Sequence, residues 1–324
     1  MSTTNKHGLS RYIPAQIARD VRVRSKFGCV LCRSAIYQYE HISPEFNDAK
    51  EHTAVNICLL CGRCHDKVTK GQVSKLSVRN AYENIQRDAS AKRPFDDFVL
   101  DTQQLTVVLG SSIFHGAKAL IEIDGKSALA IEPPEDGAFF PTITGVFSDN
   151  KGDELFRIEK NMWSGHPAAW DMTVEGNEIT IRSGPKKVAF KLVIDPPSKI
   201  IVEHLDMKSG NAYLRLRKGS LEVGRITTYA EYFIGFQHFE CAGAEVGVSV
   251  DSKKIESPTL RNLKMIGGKG VELEGTGITV GLGAATMTIS GLSIEHATKH
   301  YTKRLMIPFD GTNREYSEIL PPRI

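Results

Sequence analysis

Two short cysteine turns, Cys29-Val30-Leu31-Cys32 and Cys61-Gly62-Arg63-Cys64, supply four thiols in metal-ligand spacing. Each Cys-x2-Cys turn can aim two thiolates at one ion, and four thiolates meet the tetrahedral preference of zinc. The 28 residues between the pairs, Arg33 to Leu60, exceed what a plain zinc ribbon needs. The ion is therefore read as a structural staple for the insertion.

The insertion and its downstream edge carry Glu40-His41, Asn56 and, directly after the last thiol, His65. A neutral imidazole with an unperturbed pKa of about 6.5 is a suitable general base near physiological pH. A carboxylate with an imidazole suits a hard cation such as Mg²⁺ or Mn²⁺, which neutralises charge on phosphate oxygens. A base and a hard cation are the two parts that hydrolysis of a phosphodiester by an activated water requires.

The order acidic residue, His, Asn, Cys-x2-Cys-His resembles the HNH endonuclease family over roughly residues 15–71. The resemblance implies His41 as general base, Asn56 as the residue holding the His41 loop, and Glu40 and His65 as ligands of a catalytic Mg²⁺ or Mn²⁺. Cys29, Cys32, Cys61 and Cys64 would bind structural Zn²⁺. The family more often has Asp where this chain has Glu40, and Asp66 is a further candidate for the metal shell. Competing readings are a zinc knuckle without catalysis and a zinc site in which His65 replaces a cysteine. His52, within Lys50-Glu51-His52-Thr53, reads as a solvated residue, and Cys58 as a buried small hydrophobe.

The elements that must position these groups follow from pattern. Residues 14–26 have helical composition with Pro14 suited to a first turn. His41 is expected on a short hairpin packed against a helix starting near residues 63–65. Leu76, Ala81, Ile85 and Ala89 recur at near-helical spacing. The pattern breaks at residues 90–97, which places a boundary between an N-terminal domain, 1–97, and a C-terminal domain, 98–324.

Beyond residue 98 the periodicity alternates. Residues 119–123 and 127–131 flank Asp124-Gly125-Lys126 as a hairpin, and strand signals follow at 156–158, 178–181, 188–194 and 200–203, with a turn at Glu175-Gly176-Asn177. The expected fold class is α+β, a zinc-stapled ββα-metal domain followed by an all-β domain, sandwich- or barrel-like. Glycine-punctuated residues 263–294 are also compatible with coils of a parallel β-helix. Trp163 and Trp170 bracket a loop-like segment and read as anchors onto the core or, less commonly, as a binding surface.

Charge is unevenly spread along the chain. Residues 1–97 hold 16 Lys and Arg against 10 Asp and Glu, a balance of +6, and residues 98–324 hold 25 against 28, a balance of −3. Arg22 and Arg24, with Arg63, Lys67 and Lys70 around the second thiol pair, are candidates for contact with the DNA backbone. No stretch approaches the roughly 20 apolar residues of a membrane span, and the N-terminus lacks a secretory core, so a cytoplasmic location is expected.

The reading that unites these features is a metal-dependent endonuclease acting on double-stranded DNA. Its architecture suggests a restriction or phage-defence effector, targeted or controlled by the β domain through a regulatory ligand or partner. A homo-oligomer is expected if both strands are cut. The alternatives are a non-catalytic zinc-dependent nucleic-acid-binding module and an interaction protein assembled through its β domain.

Overall fold

The computed structural model describes residues 4–226, apart from 89–91, 101 and 117, together with strand segments between 231 and 307. The chain is mixed and mostly β, with three helices among the described residues. It divides into two compact units, one of residues 1–97 and 162–188, the other of residues 98–161 and 189–324. One division coincides with the change of periodicity at residue 98. The return of residues 162–188 to the first unit differs from the contiguous domains that periodicity implies, because local pattern carries no information about long-range strand partners.

In the first unit, helix α1 (Ala15–Arg24) follows Pro14, which caps it from outside in an extended conformation with φ −53° and ψ 140°. It ends with Lys26 and Phe27 at positive φ, which turns the chain sharply into the first cysteine pair. Strands β1 (Gln38–His41) and β2 (Ile57–Leu60) are antiparallel, with His41 opposite Ile57 and Glu40 opposite Cys58. Helix α2 (Gly62–Thr69) follows β2 directly, and helix α3 (Lys75–Arg87) is capped by Ser74 Oγ, which accepts from Ser77 N.

Strand β2 is an unbroken apolar run because both of its faces are covered. Cys58 and Leu60 join Val78 and Tyr82 of α3 in one cluster, and Ile57 and Leu59 join Val21 of α1 in another. Burying a side chain of this size stabilises by about 1.5–3 kcal/mol, so β2 fixes the floor of the unit. Strand β3 (Phe95–Asp97) pairs with Met162–Gly165, and Asp171–Glu175 forms a hairpin with Glu178–Gly184. Trp163 is 1 % exposed and is a core anchor.

In the second unit the hairpin of Ala119–Ile123 with Lys126–Glu132 turns at Asp124 and Gly125, both at positive φ. Glycine and aspartate at those positions suit a two-residue turn that matches strand twist. The hairpin continues through Thr142–Ser148 to Glu154–Glu159. A second sheet meanders from Lys187–Asp195 through Lys199–Ser209, Ala212–Arg217 and Ser220–Ile226 to Glu231–Gln237. Phe190 of this sheet stacks on Phe156 at 4.8 Å and packs against Phe147 at 5.0 Å, which joins the two sheets.

The sheets are open rather than closed into a barrel. Val271–Leu273 pairs with Leu263–Met265 antiparallel, unlike the coils of a parallel β-helix. The glycine turns expected at 267–270, 275–277 and 281–283, and the strand expected at 278–280, lie outside the described residues. No helix among the described residues is long and apolar enough to cross a membrane.

Candidate metal centre and adjoining cleft

The four thiols Cys29, Cys32, Cys61 and Cys64 converge so that their sulfurs all lie within 4.8 Å of one another. A zinc ion with bonds of about 2.3 Å sets its sulfurs about 3.8 Å apart, so modest contraction of this cluster completes a tetrahedron. The Cys32 and Cys61 sulfurs are already at 3.5 Å. All four are free of disulfides. The cluster fits a metal ion such as zinc.

Burial and mutual proximity bear on the charge of these thiols. Burial, then the neighbouring sulfur of Cys29, pushes Cys32 up to about 11 and Cys64 above its ordinary value. Cys61 is also opposed by burial, but the Cys64 amide and adjacent thiols together lower it. Four crowded thiolates need a cation among them, and a divalent ion supplies that charge.

The first turn has its own support. Arg33 is 6 % exposed, and its guanidinium donates to the carbonyls of Lys26, Ser25, Gly28, Cys29 and Lys92 at 2.6–3.3 Å. Gly28 has no room for a side chain, since a Cβ there would sit 2.8 Å from the Arg33 carbonyl oxygen. Val30 N donates to Leu59 O at 2.9 Å and fastens this turn to β2. Sequence reasoning missed Arg33 because its acceptors are backbone carbonyls, which leave no trace in residue type.

Beside the thiol cluster opens a cleft of about 850 Å³, lined among others by Arg11, Tyr12, Glu40, His41, His65 and Lys75. Glu40 Oε2 lies 3.0 Å from His65 Nε2, and Glu40 Oε1 takes an ion pair from Lys75. Lys75 Nζ also donates to the His41 carbonyl at 2.9 Å. The Glu40 and His65 side chains, brought together from β1 and α2, are therefore a two-donor set of oxygen and nitrogen. His65 faces Glu40, and the cluster of sulfurs is complete without it.

His41 is 8 % exposed, and burial followed by the charge of His52 lowers its pKa to about 4. Its Nε2 lies 3.2 Å from His52 Nδ1, and His52 Nε2 donates to the Ser10 carbonyl at 2.8 Å. The expectation that His52 is solvated is corrected, since it too is only 8 % exposed. The cause is the N-terminal segment folded over it. Asn5 Nδ2 donates to the carbonyls of Phe46 and Ala49, which draws residues 5–10 onto the loop after β1.

Asn56 sits in a 3-10 turn, and its Nδ2 donates to Thr53 Oγ1 at 2.9 Å while its Oδ1 accepts from Arg79. Its carbonyl accepts from Ile42 N at 2.8 Å. The Thr53 and Ile42 contacts close the loop that runs from His41 back to β2, and the Arg79 contact ties it to α3. Cys58 is fully buried, and burial raises its thiol to about 12. Asp66 pairs with Lys70 on the exposed face of α2 and is not among the residues lining the cleft.

The basic residues separate into two groups. Arg63 and Lys70 are exposed and Lys67 is partly so, all on α2. Arg22 is corrected as a phosphate contact, because it is bound on both sides, to Asp171 and to Tyr39 Oη. Arg24 donates to Gln86 Oε1 at 2.8 Å, and Arg19 stacks on Trp170 at 3.8 Å. These residues of α1 hold the unit together. Lys75 was not legible as a site residue, since its partner Glu40 is 35 residues away.

Comparison of this chain with protein-family models, with curated proteins and with solved structures finds no match.

Proposed function

We propose that the first unit is a metal-dependent phosphodiesterase of the HNH type, acting on DNA. The observation that carries this reading is the convergence of Glu40, His65 and His41 on one cleft beside a four-thiol cluster. Zinc held by Cys29, Cys32, Cys61 and Cys64 would act as a fold staple. The antiparallel pair β1–β2 followed by α2, beside the four thiols, supports the reading of a zinc-stapled ββα unit.

Glu40 and His65 would hold a Mg²⁺ or Mn²⁺ ion, which when bound supplies neutralisation of the phosphate charge. His41, neutral at physiological pH, takes a proton from water as the water oxygen forms its bond to phosphorus. The phosphorus–oxygen bond to one nucleoside breaks, and that oxygen leaves with a proton from solvent. Asn56 closes the loop that carries the base, and exposed Arg63, Lys67 and Lys70 attract the backbone of double-stranded DNA. The second unit is assigned targeting or control of the nuclease, as in a restriction or phage-defence effector.

Plasmid nicking by the full chain in Mg²⁺ or Mn²⁺ tests the reading. His41→Ala is expected to lower the rate by about 10²–10⁴ while zinc content is unchanged. Undiminished nicking by that variant removes His41 from the mechanism. Binding without cleavage under every divalent ion tried identifies a non-catalytic zinc module instead.

A further inference from the structure

We infer that His52 is a positioning residue that fixes which nitrogen of His41 is basic, through a relay that runs from the Ser10 carbonyl through two imidazoles. The inference rests on the nuclease reading for its role in rate, and on geometry alone for the relay itself. A carbonyl oxygen can only accept, so the 2.8 Å contact between His52 Nε2 and Ser10 O places the His52 proton on Nε2. In a neutral ring the other nitrogen then bears the lone pair. His52 Nδ1 must accept from His41 Nε2 across 3.2 Å.

That donation puts the single ring proton of neutral His41 on Nε2. Nδ1 is left as its only nitrogen able to take a proton. Both rings are buried, each 8 % exposed, so each finds its hydrogen-bond partners within the protein. Phe46 packs beside the pair with its ring 5.5 Å from that of His41, and Asn56 ties down Thr53 next to His52. The His41 ring is thus bordered by Phe46 on one side and by His52 on another. The segment Asn5–Ser10 matters to the chemistry because it delivers the carbonyl that starts the chain of protons.

The relay makes the cleft directional. A water lying against Nδ1 of His41 meets a base, and one lying against Nε2 would meet a donor. An unfixed imidazole divides its population between the two tautomers, and only one is productive at a given water position.

Long-range nitrogen NMR of the imidazoles in the full zinc-loaded chain tests this directly, with the His41 signals assigned by their loss in His41→Gln. The expected result is a neutral His41 with its proton on Nε2. His52→Phe, which keeps ring volume and removes both polar contacts, should mix the tautomers and lower kcat about ten- to a hundredfold with KM within about twofold. His52→Gln, which keeps an acceptor and a donor, should recover part of both signals. A wild-type His41 protonated on Nδ1, or a tautomer unchanged in His52→Phe, overturns the relay even if nicking is robust. An Nε2-protonated His41 in a chain that never nicks DNA leaves the relay standing and removes the nuclease.

Discussion

Arg22 grips Asp171 with two parallel hydrogen bonds of 2.9 and 2.7 Å, although 149 residues separate them in the chain. Burial works against the guanidinium charge, and Asp171 and Tyr39 outweigh it and raise its pKa. The pair is 11 % and 6 % exposed at its side chains, so either charge left alone is costly. Arg22→Ala is expected to destabilise the first unit by about 3–5 kcal/mol, measured by urea denaturation. Arg63→Ala, at an exposed position of α2, should leave stability unchanged, weaken DNA binding uniformly across sequences and reduce the slope of log affinity against log salt by about 1. An Arg22 variant that is stable yet shows the reduced slope reverses this assignment.

Zinc should be worth more to folding than to binding. Replacing Cys29 or Cys64 by Ser removes a thiolate from a cluster whose remaining members cannot complete a tetrahedron. Zinc content should fall from about one ion per chain towards zero, and helical circular dichroism should be lost in step with chelation. Cys58→Ala serves as the control, because Cys58 packs against Leu60 and Val78 outside the sulfur cluster. Retention of zinc by both serine variants contradicts the four-thiol assignment.

Lys75 and a divalent cation draw on the same carboxylate. Its ammonium contacts Glu40 Oε1, while Oε2 faces His65. Lys75→Met should tighten Mn²⁺ binding several-fold, since a like charge near the metal is removed and Glu40 gains freedom to coordinate through either oxygen. Isothermal titration of the zinc-loaded chain with Mn²⁺ reads this directly. Weaker binding in Lys75→Met would falsify the competition and make Lys75 a support for Glu40 instead.

The pH dependence of stability follows from His41. Its folded pKa is lowered to about 4 by burial and by His52, against about 6.5 in an unfolded chain. The unfolded state therefore binds more protons between those values. The contribution is fully favourable above about 6.5 and is lost as pH falls towards 4. Comparison of wild type with His41→Gln in urea at pH 7 and pH 5 should show a steeper loss for the wild type. Equal losses place the folded pKa near its ordinary value.

The metal cage was legible in the sequence because Cys-x2-Cys spacing is a local geometric demand, met twice at Cys29 and Cys61. Glu40 and His65 were assigned by their order relative to those turns, and the fold does place them in contact. What the pattern concealed depends on distant partners. The polar neighbours of His52 imply exposure, and only the carbonyl of Ser10, 42 residues earlier, makes it a buried group. The alternation of residues 178–181 announces a strand but cannot say which unit receives it. Arg22 looked like one cation among several in α1 because its carboxylate partner lies far beyond the motif.

Arg33 shapes the first cysteine turn through its backbone carbonyls. The carbonyls of Ser25, Lys26, Gly28 and Cys29 are gathered on one guanidinium, which curls the segment leading into Cys29 and Cys32. An ion that binds here would meet two thiols already held on one backbone turn. A side chain outside the sulfur cluster would then govern how readily the turn is presented to an ion.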